Sequence, residues 1–228
     1  MKSLQLKVLS VVASALAVVG VAVAPQATAA EHNLVAFGDS VLADPDAGSY
    51  FAHRYDPSKG AGVDCPTSNN YAKRAGAKLR LPVRDFSCSG AVSMSRGPQV
   101  SQQVDAAIRS GALGPATNRV VITTGFNDTY NHRDMSLPQI RKEFADRTAP
   151  QIERIKRAAP NARVQIVGYP TIGTGPYYCL FHFGPRPADS TFLPGIQDFE
   201  NKAQWMQVDL AARTGVQFLD MKPTTCLL

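Results

Sequence analysis

The feature that most constrains the fold of this chain is the regular alternation of short β-rich runs with helical patterns. Five β-rich runs are separated by stretches long enough to form helices: 34–37, 81–86, 119–123, 163–167 and 216–219. Strands that alternate with helices form parallel sheets through right-handed crossovers, with helices on both faces. The sequence therefore predicts an α/β domain in which a five-stranded parallel sheet lies between two helical layers.

Helical periodicity and the positions of Gly and Pro predict where the elements begin and end. We expect Ser68 to cap the helix that precedes the second β-rich run. Pro150 is expected to kink or break a helix that begins near Ile140, because proline has no N–H to donate. Gly215 stands where the last helix should stop. The segment 168–195 is rich in Pro and Gly and predicts a long loop. Its aromatic side chains either line an apolar substrate groove or take part in ordinary loop packing: Tyr169, Tyr177, Tyr178 and Phe181.

The first thirty residues are typical of a secretory signal peptide. Lys2 and Lys7 give a positive head, residues 8–24 are almost entirely apolar, and a small-x-small cleavage pattern ends at Ala29. A membrane anchor is the alternative, but the apolar run is short for a bilayer span, and we find no longer one after it. We therefore predict a signal peptide over 1–30 and one exported domain over 31–228, located outside the cell or in its envelope.

The charge of the predicted mature chain argues against a nucleic-acid partner. Residues 31–228 carry 22 basic and 18 acidic residues, an excess of only four positive charges, and the basic residues are scattered. Proteins that bind nucleic acid concentrate such charges in a patch or stripe. The sequence sets no oligomeric state.

Four cysteines follow the signal peptide: Cys65, Cys88, Cys179 and Cys226. An even number in an exported chain predicts two disulfides, for which three pairings exist. Pairing neighbours along the chain, Cys65 with Cys88 and Cys179 with Cys226, is the simplest of the three. A zinc site is a weak alternative, because no two cysteines stand at ligand spacing and no pair of histidines supports them.

Three short motifs directly follow the first three β-rich runs. They are Gly38-Asp39-Ser40, Ser87-Cys88-Ser89-Gly90-Ala91 and Gly125-Phe126-Asn127-Asp128. Each motif alone resembles an ordinary turn. In α/β sheets, however, functional residues collect at the carboxyl ends of the strands. The placement of all three motifs at successive strand ends therefore predicts a shared site.

The chemistry that suits this site is acyl transfer to a serine. The Ser40 hydroxyl at a strand-to-helix turn is expected to be exposed, and the Ser40 N–H can face a developing oxyanion. Gly90 can bring a second N–H close because it has no side chain, and Asn127 can supply a third donor. Asp39 and Asp128 are general bases by residue type, but by position we expect them to fix the loops through hydrogen bonds to backbone N–H groups.

These motifs resemble those of the SGNH (GDSL-type) esterase and lipase family. "VAFGDSV" is similar to its nucleophile block, "SCSGA" to its oxyanion glycine block and "TGFND" to its asparagine block. The cysteine placement resembles the secreted actinobacterial branch, in which the first pair brackets the second strand. The resemblance runs from Asn33 to Cys226. It implies a flavodoxin-like three-layer sandwich that hydrolyses acyl esters of lipids or of acetylated glycans, without a metal or organic cofactor.

The fourth block of that family, Asp-x-x-His beyond the last strand, has no counterpart here. Pro223 stands three residues after Asp220, and no histidine follows His182. The family's general base therefore cannot be assigned to a residue of this sequence. The chain also has no room for a closing helix after Cys226, so we expect part of one sheet face to be uncovered.

Three accounts of the missing base stay open. In the first, which we favour because one event removes both the helix and the base, the chain is a shortened form of a longer esterase. In the second, a histidine in one of the loops that follow strands acts as the base: His53, His132 or His182. In the third, the chain is a binding module that keeps the pocket for acyl or acetylated-glycan ligands without turnover.

Overall fold

A computed structural model of the protein describes residues 32–56, 58–60, 62–178 and 191–223. The predicted signal peptide lies outside the described residues, as do four predicted functional or structural residues: Cys179, Phe181, His182 and Cys226. Within these ranges, no helix is both long and apolar enough to cross a bilayer.

The core of the fold is a five-stranded, all-parallel sheet with the strand order β2-β1-β3-β4-β8. The described strands are β1 (Asn33–Gly38), β2 (Val83–Asp85), β3 (Thr117–Thr123), β4 (Arg163–Val167), β5 (Gly173–Thr174), β6 (Tyr177–Tyr178), β7 (Thr191–Phe192) and β8 (Gln217–Leu219). The described helices are α1 (Ser40–Ala43), α2 (Ala47–Arg54), α3 (Tyr71–Leu79), α4 (Val100–Arg109), α5 (Phe126–Asn131), α6 (Leu137–Ala158) and α7 (Ile196–Thr214). The predicted α/β fold with a parallel sheet is confirmed.

Helices pack on both faces of the sheet because alternate strand residues point to opposite sides. On one face, Phe37 and Ile122 join a large buried core with residues of α4, α6 and α7. On the other face, Leu34 and Ala36 pack against Leu42 of α1 and other residues near β2. The core therefore holds the carboxyl end of β1, where Ser40 follows, between two helical layers.

The edge of the second face at β4 and β8 is polar and partly open. Arg163 and Gln217 are exposed and bonded to each other through their side chains, and the Leu219 side chain is 42% exposed. Gln165 between them is half-buried. The uncovered sheet face expected from the sequence stays a prediction. Polar side chains lower the cost of such exposure.

One prediction about helices was wrong, and a second was wrong for one of its two alternatives. The helix before β2 is capped by Asn70, whose Oδ1 accepts hydrogen bonds from two backbone N–H groups, whereas the Ser68 hydroxyl donates to Asp44. Pro150 does not break α6, which continues through it from Leu137 to Ala158, and the alternative of a kink stays a prediction. Buried side chains on both sides of this exposed proline, such as Phe144 and Ile152, hold the helix to the core. The predicted stop at Gly215 is confirmed, since this residue ends α7 with a φ of 66°.

The segment predicted as one long loop contains secondary structure. Three two-residue strands form a small antiparallel sheet in the order β5-β6-β7. Strands this short have no periodicity that a sequence could reveal. The predicted Cys65–Cys88 disulfide is present, with an S–S distance of 2.03 Å, so these sulfurs are not free to bind zinc. In the described part of the chain, no three His, Cys, Asp or Glu side chains are grouped to hold a metal.

Candidate active site

Ser40 lies at a tight connection between β1 and α1. A Cβ atom at Gly38 would lie 2.4 Å from the carbonyl oxygen of Thr123, so only glycine fits at the end of β1. The Asp39 carboxylate caps α1 by accepting a hydrogen bond from the Val41 N–H at 3.0 Å. Ser40 is the first residue of α1 and is exposed. Neither its hydroxyl nor its N–H is hydrogen-bonded to another described residue.

Gly90 stands at the second strand end in a turn that favours glycine. Its φ is 80°, in the left-handed region, and it is exposed. No atom lies within 4 Å of the position that a Cβ would take. The Cys88 N–H donates to the Gly38 carbonyl at 2.9 Å, and Cys88 is bonded to Cys65. The loop that carries Gly90 is therefore tied directly to the end of β1.

Asn127 lies in the first turn of α5, and its side chain is held on two sides. Its Nδ2 donates to the Ala91 carbonyl at 2.8 Å, and its Oδ1 accepts a hydrogen bond from the Tyr130 hydroxyl. Burial raises the pKa of Tyr130 to about 12, so this hydroxyl remains a donor at neutral pH. An amide NH₂ carries two hydrogens, which leaves one of them on Asn127 for a further acceptor.

Tyr169 connects the segment that carries Ser40 (38–40, the Ser40 loop) to the segment that carries Asn127 (125–128, the Asn127 loop). Its hydroxyl donates to Asp39 Oδ2 and accepts a hydrogen bond from the Phe126 N–H at 3.1 Å. Asp39 directly precedes Ser40, and Phe126 directly precedes Asn127. With the Asn127–Ala91 hydrogen bond, the three predicted loops form one connected unit at the carboxyl edge of the sheet.

The two aspartates of the motifs hydrogen-bond to loops. Asp128 is fully buried and accepts hydrogen bonds from the backbone N–H groups of Ser93, Met94 and Ser95, at 2.8 to 3.1 Å. Asp39 caps α1 and binds Tyr169. Burial raises the pKa of Asp39 from 3.8 to about 7, although these two hydrogen bonds lower it in part and Asp128 adds to the rise.

The structure describes two of the three histidines proposed as substitute bases. His53 lies within α2, so the prediction that it lies in a loop was wrong, whereas His132 lies in the turn that directly follows α5. Their Nε2 atoms are buried without a hydrogen-bond partner in the described chain. His132 lines a cavity of about 460 Å³ together with residues that include Arg96, Glu143 and Arg147. Neither imidazole is hydrogen-bonded to Ser40.

Two residues that hold the site were not recognised as such from the sequence. Tyr130 stands three residues after Asn127, a spacing that brings side chains together on a helix. Helical periodicity in residues 126–131 is the signal that would have revealed it. Tyr169 was predicted either to line a groove or to pack, and it packs, with 3% of its surface exposed. Its partners lie 43 and 130 residues away, and no local pattern indicates them.

Comparisons with known proteins gave one family and several similar folds. The profile of the GDSL-like Lipase/Acylhydrolase family matches residues 36–226. An extracellular lipase from Streptomyces rimosus is 22% identical, with 85% of this chain and 81% of that chain covered and a TM-score of 0.46. Phospholipase A1 from Streptomyces albidoflavus NA297 is 19% identical, with 84% and 80% covered and a TM-score of 0.45. A search of curated proteins found no match.

Proposed function

Because the chain belongs to the GDSL-like Lipase/Acylhydrolase family, we propose that it hydrolyses carboxylic esters with Ser40 as the nucleophile. The Ser40 oxygen attacks the ester carbonyl, and the carbonyl oxygen takes up negative charge. The N–H groups of Ser40 and Gly90 and the remaining amide hydrogen of Asn127 stabilise that charge. The alcohol then leaves, and water releases the acyl group from Ser40.

The observation that carries this proposal is the hydrogen-bonded connection between the three loops. Ser40 and Gly90 present N–H groups without partners in the described chain, and Asn127 keeps one amide hydrogen after bonding to Ala91. Fixed donors stabilise an oxyanion more strongly than water does, because they need no reorganisation during the reaction. The connection through Asp39, Tyr169 and Phe126 supplies that fixity.

The base that takes the proton from Ser40 is the open step of this mechanism. His182, His132 and His53 are the candidates in this sequence, and a longer chain with an Asp-x-x-His block is the other source. A base must come within hydrogen-bond reach of the serine oxygen. We propose to replace each histidine with alanine. If all three variants hydrolyse esters at the parent rate, none of these histidines is the base.

The substrate that we propose is an acyl ester of a lipid or of an acetylated glycan, turned over without a metal or organic cofactor. We also propose that the chain is exported. The predicted signal peptide supports export, and so does the Cys65–Cys88 disulfide, because disulfides persist in oxidising compartments. The N-terminus of the protein recovered from culture medium tests the proposed cleavage after Ala29 or Ala30.

One observation also favours a second candidate function. Pro223 stands three residues after Asp220, where the resembled family has its histidine base, and a serine without a base is a weak nucleophile. A module that binds acyl or acetylated-glycan ligands without turnover fits that observation. Such a module would bind an ester and release it unchanged.

Hydrolysis of p-nitrophenyl acetate and butyrate by the purified mature chain tests the proposal. Ser40→Ala should reduce hydrolysis to a low residual rate, and the matched control Ser58→Ala, at another exposed serine, should leave the parent rate unchanged. Removing triad members in other serine hydrolases still leaves roughly 10³–10⁴-fold acceleration over water. Equal rates for the parent and Ser40→Ala would contradict the proposal.

A further inference from the structure

We propose that Tyr169 is a positioning residue, whose hydroxyl fixes the Ser40 loop and the Asn127 loop relative to each other. The inference rests on the proposed esterase function, because it concerns the geometry of the same site. Tyr169 is two residues beyond the end of β4, the strand next to β3 in the sheet.

The Tyr169 hydroxyl bonds to the residues that directly precede the nucleophile Ser40 and the oxyanion donor Asn127. The hydroxyl donates to the carboxylate of Asp39 and accepts from the N–H of Phe126. A shift of Asp39 moves the Ser40 hydroxyl and N–H, and a shift of Phe126 moves the Asn127 amide. One oxygen atom therefore sets the spacing of the nucleophile and an oxyanion donor.

Burial makes this connection hard to replace. Tyr169 is 3% exposed, and its ring packs edge-on against the Phe126 ring at a centroid distance of 5.3 Å. Water therefore has little access to the hydroxyl, so neither hydrogen bond can be exchanged for one to solvent. Burial and the nearby Asp39 carboxylate also raise the pKa of Tyr169 well above its usual value, so the hydroxyl keeps its proton.

A second, half-buried tyrosine provides a matched control. The Tyr71 hydroxyl bonds to Thr123 Oγ1 at 2.5 Å, at the same end of the sheet, and burial raises its pKa as well. Its hydroxyl does not bond to the Ser40 loop or to the Asn127 loop. Tyr71→Phe and Tyr169→Phe therefore each remove one hydrogen-bonded hydroxyl and keep the ring, but only Tyr169→Phe breaks the connection between the loops.

Steady-state hydrolysis of p-nitrophenyl butyrate separates positioning from packing. Tyr169→Phe should lower kcat by about 10- to 100-fold, since small misplacement of reacting groups costs rates of this order. KM should change by less than about 2-fold, as expected for an interaction made in the transition state. Tyr71→Phe should keep kcat. Equal kcat values for the two variants would overturn the inference.

A double-mutant cycle asks whether Tyr169 acts through the oxyanion donor. In an Asn127→Ala background, Tyr169→Phe should lower kcat by less than about 3-fold, because residues that act as one unit are not additive. The full loss in that background would overturn the inference. If Tyr169→Phe does not fold, Asp39→Asn changes the acceptor at the other end of the same hydrogen bond and should lower kcat in the same way.

Amide hydrogen exchange gives a test that does not need activity. Tyr169→Phe should speed exchange in both 39–42 and 126–129, and Tyr71→Phe should not. Faster exchange in one loop alone, or in neither, would overturn the inference. A wild-type chain that hydrolyses no ester would instead contradict the proposed function, and exchange would still decide the role of Tyr169.

Discussion

The buried carboxyl of Asp39 should make the stability of the protein depend on pH in an unusual direction. Asp39 is 1% exposed, and its pKa is raised from 3.8 to about 7, chiefly by burial. Between pH 3.8 and about 7, Asp39 of the folded protein holds a proton that the unfolded chain has released. The stabilisation that comes from this bound proton is therefore fully present below pH 3.8 and is lost as the pH rises to about 7.

The magnitude follows from the size of the shift. Each pKa unit corresponds to about 1.4 kcal/mol, so a rise from 3.8 to about 7 gives at most about 4 kcal/mol from this one group. Asp39→Asn removes the titration and keeps an oxygen to accept from the Val41 N–H. The unfolding free energy of the wild type minus that of Asp39→Asn should therefore fall by a few kcal/mol from pH 4 to pH 8.

Urea unfolding at pH 4, 5, 6, 7 and 8 measures that difference. Asp46→Asn is the control, because the Asp46 carboxylate is exposed and the hydrogen bonds from Ser49 lower its pKa. The stabilisation by the Asp46 carboxylate is lost only as the pH falls through that lowered pKa. The difference in unfolding free energy between the wild type and Asp46→Asn should therefore be nearly constant from pH 5 to 8. A constant difference for Asp39→Asn over the same range would contradict the raised pKa of Asp39 in the folded protein.

Three further predictions concern the backbone and the oxyanion site. Gly38→Ala should destabilise the fold by roughly 1–3 kcal/mol or more, because the added Cβ would overlap a carbonyl oxygen of β3. The control is Gly114→Ala, whose added Cβ meets open space and should leave the melting temperature nearly unchanged. Replacing Cys65 and Cys88 with serine should cost about 3 kcal/mol, since their disulfide spans 23 residues, and an unchanged urea midpoint would contradict this. Asn127→Ala should lower kcat by about 10²–10³-fold in ester hydrolysis with the fold intact, and a smaller loss than about 3-fold would remove Asn127 from the oxyanion site.

The sheet was predictable from the sequence because its strands carry strong local signals. The strand after residue 33 is a continuous apolar run bounded by Gly38, which is typical of a strand covered on both faces. The three motifs were located by the rule that functional residues follow parallel strands. That rule needs only the order of the elements, and no side-chain geometry.

The residues that hold the site were not predictable, because they act over long sequence separations. Tyr169 joins residues that lie 43 and 130 positions away. Pro150 shows a related effect, since tertiary packing on both sides of it outweighs its local tendency to end a helix. Local patterns report backbone preference and burial, and they do not identify the hydrogen-bond partner of a buried hydroxyl.

Labelling with a serine-reactive fluorophosphonate distinguishes a nucleophilic Ser40 from an ordinary surface serine. We expect one label on the peptide that contains Ser40. Ser40→Ala should abolish this labelling and Asn127→Ala should slow it, whereas Ser58→Ala should not. Mass spectrometry of the digested protein locates the label. Folded protein in which Ser40 is labelled no faster than Ser58 would contradict the claim that Ser40 is a nucleophile held beside an oxyanion site.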